Sequence, residues 1–249
     1  MYRRVMVKIS GEGLSGDTSG HFDEKTVQRV VSEVKELLKH RVEVALVFGG
    51  GNFMRGDELK PEIDKTKAHQ MGMLSTIING IYMSEHFRFF GIKAEVMTPF
   101  DICGFTKRFL KEEALKSLTE GKVLIFSGGT GHPFFTTDSI VAIRACELEV
   151  DAVLYAKSVP CIYDGNPEDD VNKKLRRFSV VSYETAVRKS LAVADISALD
   201  LTRKANIPSV VFDLSIPGSI IKAAKNDPVA LFEMGGTIVA NGVKEEYYE

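Results

Sequence analysis

The chain has 249 residues, of which 44% are hydrophobic and 27% charged. That composition excludes a disordered, collagen-like or coiled-coil chain, and the length suits one large α/β domain or two small ones, with a core that needs no disulfide or metal staple. The 32 Lys and Arg against 34 Asp and Glu leave a net charge of −2, a balance that carries no signature of nucleic-acid or anionic-membrane binding.

The first ten residues hold Arg3 and Arg4 but no apolar run of signal-peptide length. No window reaches the roughly 18–20 apolar residues of a membrane span. Cys103, Cys146 and Cys161 are odd in number and include no CxxC pair, which reads as reduced thiols. The expectation is a cytoplasmic protein.

Val5–Ile9 is a near-continuous apolar run, interrupted by Lys8, the pattern of a parallel strand buried on both faces. It leads into Lys8-Ile9-Ser10-Gly11-Glu12-Gly13. A lysine at the end of a buried strand needs an anionic partner, and Ser-Gly-x-Gly offers backbone N–H groups to phosphate oxygens. The alternative is a lysine snorkelling to water beside a flexible loop. Gly11 and Gly16 have P-loop spacing, but Asp17 stands where that motif needs lysine, so it is excluded.

Asp23 is placed to cap a helix whose apolar face is Val27, Val30, Val31, Val34, Leu37 and Leu38. The next strand candidate, Val42–Phe48, ends in Gly49-Gly50-Gly51-Asn52, with Arg55-Gly56 just beyond. Three glycines let the backbone approach a ligand closely and form an anion nest, and Arg55 offers a planar fork to phosphate. The alternative is a plain tight turn. Met54 falls where the dinucleotide fingerprint needs its last glycine, so this is not that motif.

A second helix carries Met71, Leu74, Ile77, Ile78, Ile81 and Met83, and Ala94–Met97 and Val123–Phe126 are further strand candidates. After the latter comes Ser127-Gly128-Gly129-Thr130-Gly131-His132-Pro133-Phe134-Phe135-Thr136-Thr137-Asp138. Its aromatic rings suit a base and its hydroxyls a base edge. A loop anchored by a buried Phe pair explains the same residues. Asp138 is placed to cap the helix that follows.

Ala152–Tyr155 is the next strand candidate. It runs on to Lys157, Ser158 and a turn-rich segment through Tyr163, Asp164-Gly165 and Asn166-Pro167. Ser209–Leu214 follows, and Pro217-Gly218 is placed to open a short helix with Pro in its first turn. Lys244–Glu249 reads as a solvated tail. Strands spaced by helices give right-handed βαβ units. The expected fold is α/β, one three-layer αβα sandwich around a mainly parallel sheet.

Ligands in such sheets bind beyond the C-terminal ends of the strands, where these loops lie. Two lysines, two phosphate-type loops and no Ser-His-Asp or Cys-His constellation point to phosphoryl transfer, which asks chiefly for positioning and charge neutralisation. A phosphate acceptor is already ionised and needs no base. The five histidines show no zinc spacing.

Lys8-Ile-Ser-Gly-Glu, Gly49-Gly-Gly-Asn with Arg55-Gly56, Met71-Gly-Met-Leu with Asn79-Gly80, and Gly129-Thr-Gly-His-Pro-Phe-Phe-Thr-Thr-Asp-Ser139 together resemble the bacterial uridylate (UMP) kinases, in order and over nearly the whole chain. The resemblance implies the amino acid kinase fold in a single domain of residues 1–249, with a UMP-binding half to about residue 150 and an ATP-binding half from about 151 to 249. It implies transfer of the ATP γ-phosphate to UMP in pyrimidine nucleotide biosynthesis. Mg²⁺ would be held through the ATP phosphates rather than by the protein directly. It further implies a homohexamer activated by GTP and inhibited by UTP, with no nucleic-acid or membrane partner.

By position, Lys8, Ser10 and Gly11 would hold ATP phosphates. Gly50, Gly51 and Arg55 would hold the UMP phosphate. The loop Thr130, Gly131, His132, Phe134, Phe135 and Thr137 would cradle uracil and ribose, with His69 at the ribose. Lys157, Ser158, Tyr163, Asp164 and Asn166 would line the ATP side. Asp138 and Asp195 would flank the transferred phosphoryl group, with Lys8 and Lys157 as its cations.

Three positions depart from the pattern of these kinases. His69 stands for an acidic residue and His132 for Asn. Ser158-Val-Pro-Cys-Ile-Tyr163 stands for Lys-Val-Asp-Gly-Val-Tyr, so that Lys157 comes one residue early. A one-residue slip along a strand reverses the face of a side chain. Lys157 is therefore expected to reach the phosphates only if the strand ends early or bulges at Ala156, an irregularity that Pro160 would favour. The competing readings are another small-molecule kinase of this fold and a nucleotide-binding storage or regulatory protein without turnover.

Overall fold

The computed structural model describes residues 1–16, 21–54, 62–159, 161–165 and 175–248. Arg55, Asn166, Pro160 and Pro167, singled out above, lie outside the described residues.

The chain runs β1 (Arg4–Ile9), α1 (Gly11–Ser15), α2 (Glu24–Lys39), β2 (Glu43–Phe48), α3 (Lys65–Phe89), β3 (Ala94–Thr98), β4 (Lys107–Arg108), α4 (Lys111–Thr119), β5 (Val123–Phe126), α5 (Thr137–Glu147) and β6 (Ala152–Lys157). It continues with β7 (Ile162–Tyr163), β8 (Arg177–Ser182), α6 (Tyr183–Arg188), α7 (Ile196–Lys204), β9 (Ser209–Asp213), α8 (Ser219–Ala224), α9 (Pro228–Glu233), β10 (Thr237–Ala240) and β11 (Glu246–Tyr247). The strands form one sheet in the order β11-β8-β10-β9-β6-β1-β2-β5-β3-β4, with β7 beside β8. From β4 to β9 every pairing is parallel; antiparallel pairs occur only toward the β11 edge.

Period-two alternation divides the core into two layers. Val5, Val7 and Ile9 of β1 and Leu154 and Ala156 of β6 pack with α2 residues such as Val30 and Val34 and with Ile220 of α8. Met6 of β1 and Val153 and Tyr155 of β6 pack on the opposite layer with Ile140 and Val141 of α5 and Leu199 of α7. This is the expected three-layer sandwich. Its central strands were legible because parallel strands covered on both sides must be apolar throughout.

Four local expectations are corrected. The flexible loop given as the alternative after Ser10 is instead a helix start: the Ser10 hydroxyl accepts from the Gly13 N–H at 3.0 Å and caps α1. Asp138 does not cap α5. Thr136 does, through its hydroxyl and the Asp138 N–H, which leaves the Asp138 carboxylate free to face the sheet. Pro217 is not in the first turn of α8; Gly218 is its N-cap, at φ 78°, a left-handed conformation that glycine adopts without strain. The tail is not wholly solvated. Glu246 and Tyr247 pair with β8, and the Tyr247 ring stacks on Phe178 at 4.4 Å.

Candidate active site

The C-terminal ends of β1 and β2 lie side by side, with Ile9 paired to Phe48, so their two glycine loops meet. A Cβ on Gly11 would sit 2.5 Å from the Gly51 nitrogen and 2.7 Å from that of Asn52. One on Gly50 would sit 3.0 Å from the Gly72 carbonyl oxygen of α3. Glycine is demanded here by close backbone approach rather than by turn geometry.

The loop after β2 is braced from α3. The Asn79 side chain is fully buried, and its Nδ2 donates to the Gly49 carbonyl at 2.6 Å and to Asn52 Oδ1 at 2.7 Å. Asn52 Nδ2 donates back to Asn79 Oδ1 at 2.9 Å and to the His21 carbonyl at 2.8 Å. Asn79 thus fixes the triglycine loop through carboxamide bonds. Nothing local in the sequence around Asn79 shows this pairing, which spans 30 and 27 residues.

These loops form one wall of a cavity of about 380 Å³. Lys8, Ser10, Gly11, Gly50 and Gly51 line that wall; His69, Phe135, Thr137, Asp138 and Asp195 complete it among the predicted residues. Glu12, Gly72, Met73 and Thr76 also line it and were not foreseen. The helical spacing of Gly72, Met73 and Thr76 along one side of α3 was the available signal.

Lys8 Nζ lies 3.2 Å from Asp138 Oδ1, with both side chains about 15% exposed or less. That oxygen is buried and has no hydrogen-bond partner, so it meets the ammonium as a bare charge pair. Asp195 accepts from the Thr136 hydroxyl, which ties the start of α7 to the cap of α5.

Lys157 shares the strand face of Lys8 without any irregularity, contrary to expectation, although it does not line the cavity. β6 is regular through Lys157, which pairs with Asp213. In the β1–β6 register Lys8 stands opposite Tyr155, so Lys157, two residues on, returns to the face of Lys8. Its Nζ donates to the Ala192 carbonyl at 2.7 Å. Burial pulls its ammonium down to about 8; Asp138 and Asp195 counter this, and Lys8 adds to it. Tyr155 is fully buried beneath them with no partner for its hydroxyl, and burial pushes its phenol well up.

The Phe pair is not a buried anchor: Phe134 is 64% and Phe135 54% exposed. Phe134, at φ 69°, brings its ring centroid to 4.8 Å from that of His69. Thr130, Gly131 and His132 form an adjoining turn, in which the His132 N–H donates to the Thr130 hydroxyl at 3.2 Å; they do not line the cavity. Ser158, Tyr163 and Asp164 also lie outside its wall, Tyr163 and Asp164 on and after the short strand β7. The arrangement is one cation, Lys8, and two carboxylates beside a double backbone nest, with Lys157 outside the cavity wall but within electrostatic reach of all three, a setting suited to moving a charged phosphoryl group.

Residues 3–213 match the amino acid kinase family. The chain is 37% identical over 246 residues to a uridylate kinase of Colwellia psychrerythraea, covering 98% of this chain and 96% of that protein. It is 37% identical over 238 residues to the chloroplastic uridylate kinase PUMPKIN of Arabidopsis thaliana, covering 95% of this chain and 69% of that protein. The crystal structure of UMP kinase from Bacillus anthracis superposes with a TM-score of 0.89 at 30% identity, covering 100% of this chain and 99% of that one.

Proposed function

The chain belongs to the amino acid kinase family, and we infer that it is a kinase of UMP: it transfers the γ-phosphoryl group of ATP to UMP, giving UDP and ADP, in pyrimidine nucleotide metabolism. The observation that carries the site assignment is the cavity in which Lys8, Asp138 and Asp195 face the joined glycine loops on one side and His69, Phe135 and Thr137 on the other. A protein that only stores or senses nucleotide is not favoured.

In this reading the backbone of Gly50 and Gly51, with Arg55, holds the UMP phosphate, and Ser10, Gly11 and Lys8 hold the ATP phosphates. His69 and the loop Thr130–Thr137 hold the ribose and uracil. Tyr163 and Asp164 serve the adenine side, so that residues up to about 150 bind mainly UMP and the remainder mainly ATP. The acceptor oxygen is ionised before reaction, so no residue need take a proton from it. Lys8 and Lys157 gain their largest interaction with the charge spread over the equatorial oxygens in the transition state.

The hard carboxylate oxygens of Asp138, one of them without a hydrogen-bond partner, and of Asp195 fit Mg²⁺ brought in on the ATP phosphates, through its water shell. The ion would neutralise phosphate charge. Among the described residues no group of three or more His, Cys, Asp or Glu is placed to hold a metal on its own, and no helix is long and apolar enough to cross a membrane.

A homo-oligomer, taken from the resemblance as a hexamer, is supported by the outward face of α3, where Leu74 and Ile78 are about half exposed. GTP activation, UTP inhibition and a cytoplasmic location complete the reading on the same resemblance.

An ADP-release assay with UMP, CMP and dCMP as acceptors tests it. UMP is expected to be turned over with a kcat/KM about 10²–10⁴-fold above CMP, because a base edge that leaves buried polar groups unpaired is strongly rejected. Equal turnover removes the uracil assignment. No turnover of any acceptor restores the storage reading.

The ribose contact has its own test. Neutral imidazole has one acceptor nitrogen, whereas a carboxylate accepts from both ribose hydroxyls. His69→Asp is expected to tighten UMP binding by about 10–150-fold in calorimetry, the worth of one charge-assisted hydrogen bond. Looser binding would take His69 away from the ribose.

A further inference from the structure

The last residues of the chain cover the outer edge of β8. Glu246 and Tyr247 pair with Val180 and Phe178, and the Tyr248 N–H donates to the Arg177 carbonyl at 2.9 Å. The Tyr248 hydroxyl donates to the Gly236 carbonyl, and burial, with Cys161 nearby, holds its phenol up at about 12. Such cover protects an exposed strand edge. Backbone pairing alone would suffice for that.

The side chains do more. The Arg176 guanidinium lies 4.0 Å from the centre of the Tyr247 ring, which itself stacks on Phe178. The same arginine grips Asp164 at two points, through its backbone N–H to Oδ1 at 2.9 Å and its Nε to Oδ2 at 3.1 Å. The Asp164 N–H donates to the Arg176 carbonyl at 3.0 Å. Asp164 follows directly on Tyr163, the last residue of β7, which pairs with Arg177. Arg176 is largely exposed, and an exposed arginine gains little from an ion pair because ordering its long side chain offsets the attraction. A ring that fixes the guanidinium beforehand removes part of that cost.

We propose that the C-terminal strand is a positioning element of the donor-nucleotide side: Tyr247 orients Arg176, and Arg176 fixes the Asp164 turn and the Tyr163 ring beside it. This rests on the reading that Tyr163 and Asp164 serve the adenine side. The tail acts on ATP, through two residues, without touching it.

The test is steady-state kinetics with ATP and UMP varied separately, on the full chain. Tyr247→Leu is expected to raise the KM for ATP about 3–20-fold, the range of a lost cation–π contact. The KM for UMP and kcat at saturation should stay within about twofold, because the turn enters only through donor positioning. Tyr247→Phe keeps the ring and should restore the natural KM. Arg176→Ala should match Tyr247→Leu, and the double variant should be no worse than either alone. Equal rises in both KM values, or an unchanged KM for ATP, overturn the proposal. Should Tyr247→Leu not fold, Arg176→Ala at the exposed end carries the same test. Tyr163→Ala separates the two readings. If it leaves the KM for ATP unchanged, the donor-side assignment fails. If it raises that KM and Tyr247→Leu does not, only the role of the tail fails.

Discussion

Lys8→Ala is expected to lower kcat by about 10²–10⁴-fold, the loss found when a fixed transition-state donor is removed, with a much smaller change in the KM for UMP. Lys8 sits at the end of a strand paired on both sides, opposite Val47 of β2 and Tyr155 of β6, so its direction is set by the sheet and not by a mobile loop. With no phosphate in place its charge is matched by Asp138. Phosphate oxygens arriving at the nest would compete for that ammonium, and they gain most as negative charge moves onto the transferring group. The alanine variant also strands the Asp138 carboxylate, which is mostly buried, so a lower Tm is expected as well. Lys8→Ala combined with Asp138→Asn removes the stranded charge and should recover Tm without recovering kcat. A Lys8→Ala enzyme with kcat within about fivefold of the natural chain would move the phosphoryl group elsewhere in the cavity.

The parts legible in the sequence were those fixed by local chemistry. Near-continuous apolar runs, with charges only toward their ends, gave away β1, β2, β5 and β6, because a parallel strand covered on both faces has no polar side. The glycine loops were legible because few structures other than a nest or a close approach need three glycines in a row. The rest depended on distant partners. Thr136 and Asp138 are both good caps, and only the path of the loop decides between them. The face taken by Lys157 depends on the register of β6 against β1, strands some 145 residues apart; parity counted from the motif alone pointed to the wrong face. β8 reads Arg-Phe-Ser-Val-Val-Ser, too polar for a central strand, and it lies near the sheet edge. The acidic tail looked solvated because the ring of Tyr247 finds its partners far back in the chain, Phe178 on β8 and Arg176 just before it.

The second large effect is expected at Lys157. Lys157→Ala should lower kcat/KM for ATP by about 10–10³-fold, since in the proposed reading one of the two cations that serve the transferring group is lost, and Ser158→Lys should not rescue it. Ser158 is exposed and follows the end of β6, so its side chain starts from the face away from Lys8. The protonation of Lys157 supplies an independent readout. Burial lowers its ammonium to about 8, against about 10.4 for a free lysine. A lysine depressed on folding opposes folding in its charged form. That cost is complete below about pH 8 and is relieved as pH rises from there toward the unfolded value, so this group makes stability increase with pH across that window. Binding has the opposite sign. Only the protonated form attracts phosphate, so kcat/KM for ATP should fall as pH rises through about 8. Lys157→Arg, charged at every working pH, should abolish that fall even if its geometry reduces the rate. Calorimetry of ATP near pH 8, in two buffers of different ionisation enthalpy, should show proton uptake that is lost in Lys157→Ala. If the natural chain takes up no proton and Lys157→Ala keeps its full kcat/KM, then Lys157 serves only to hold the Ala192 carbonyl and the site works on Lys8 alone.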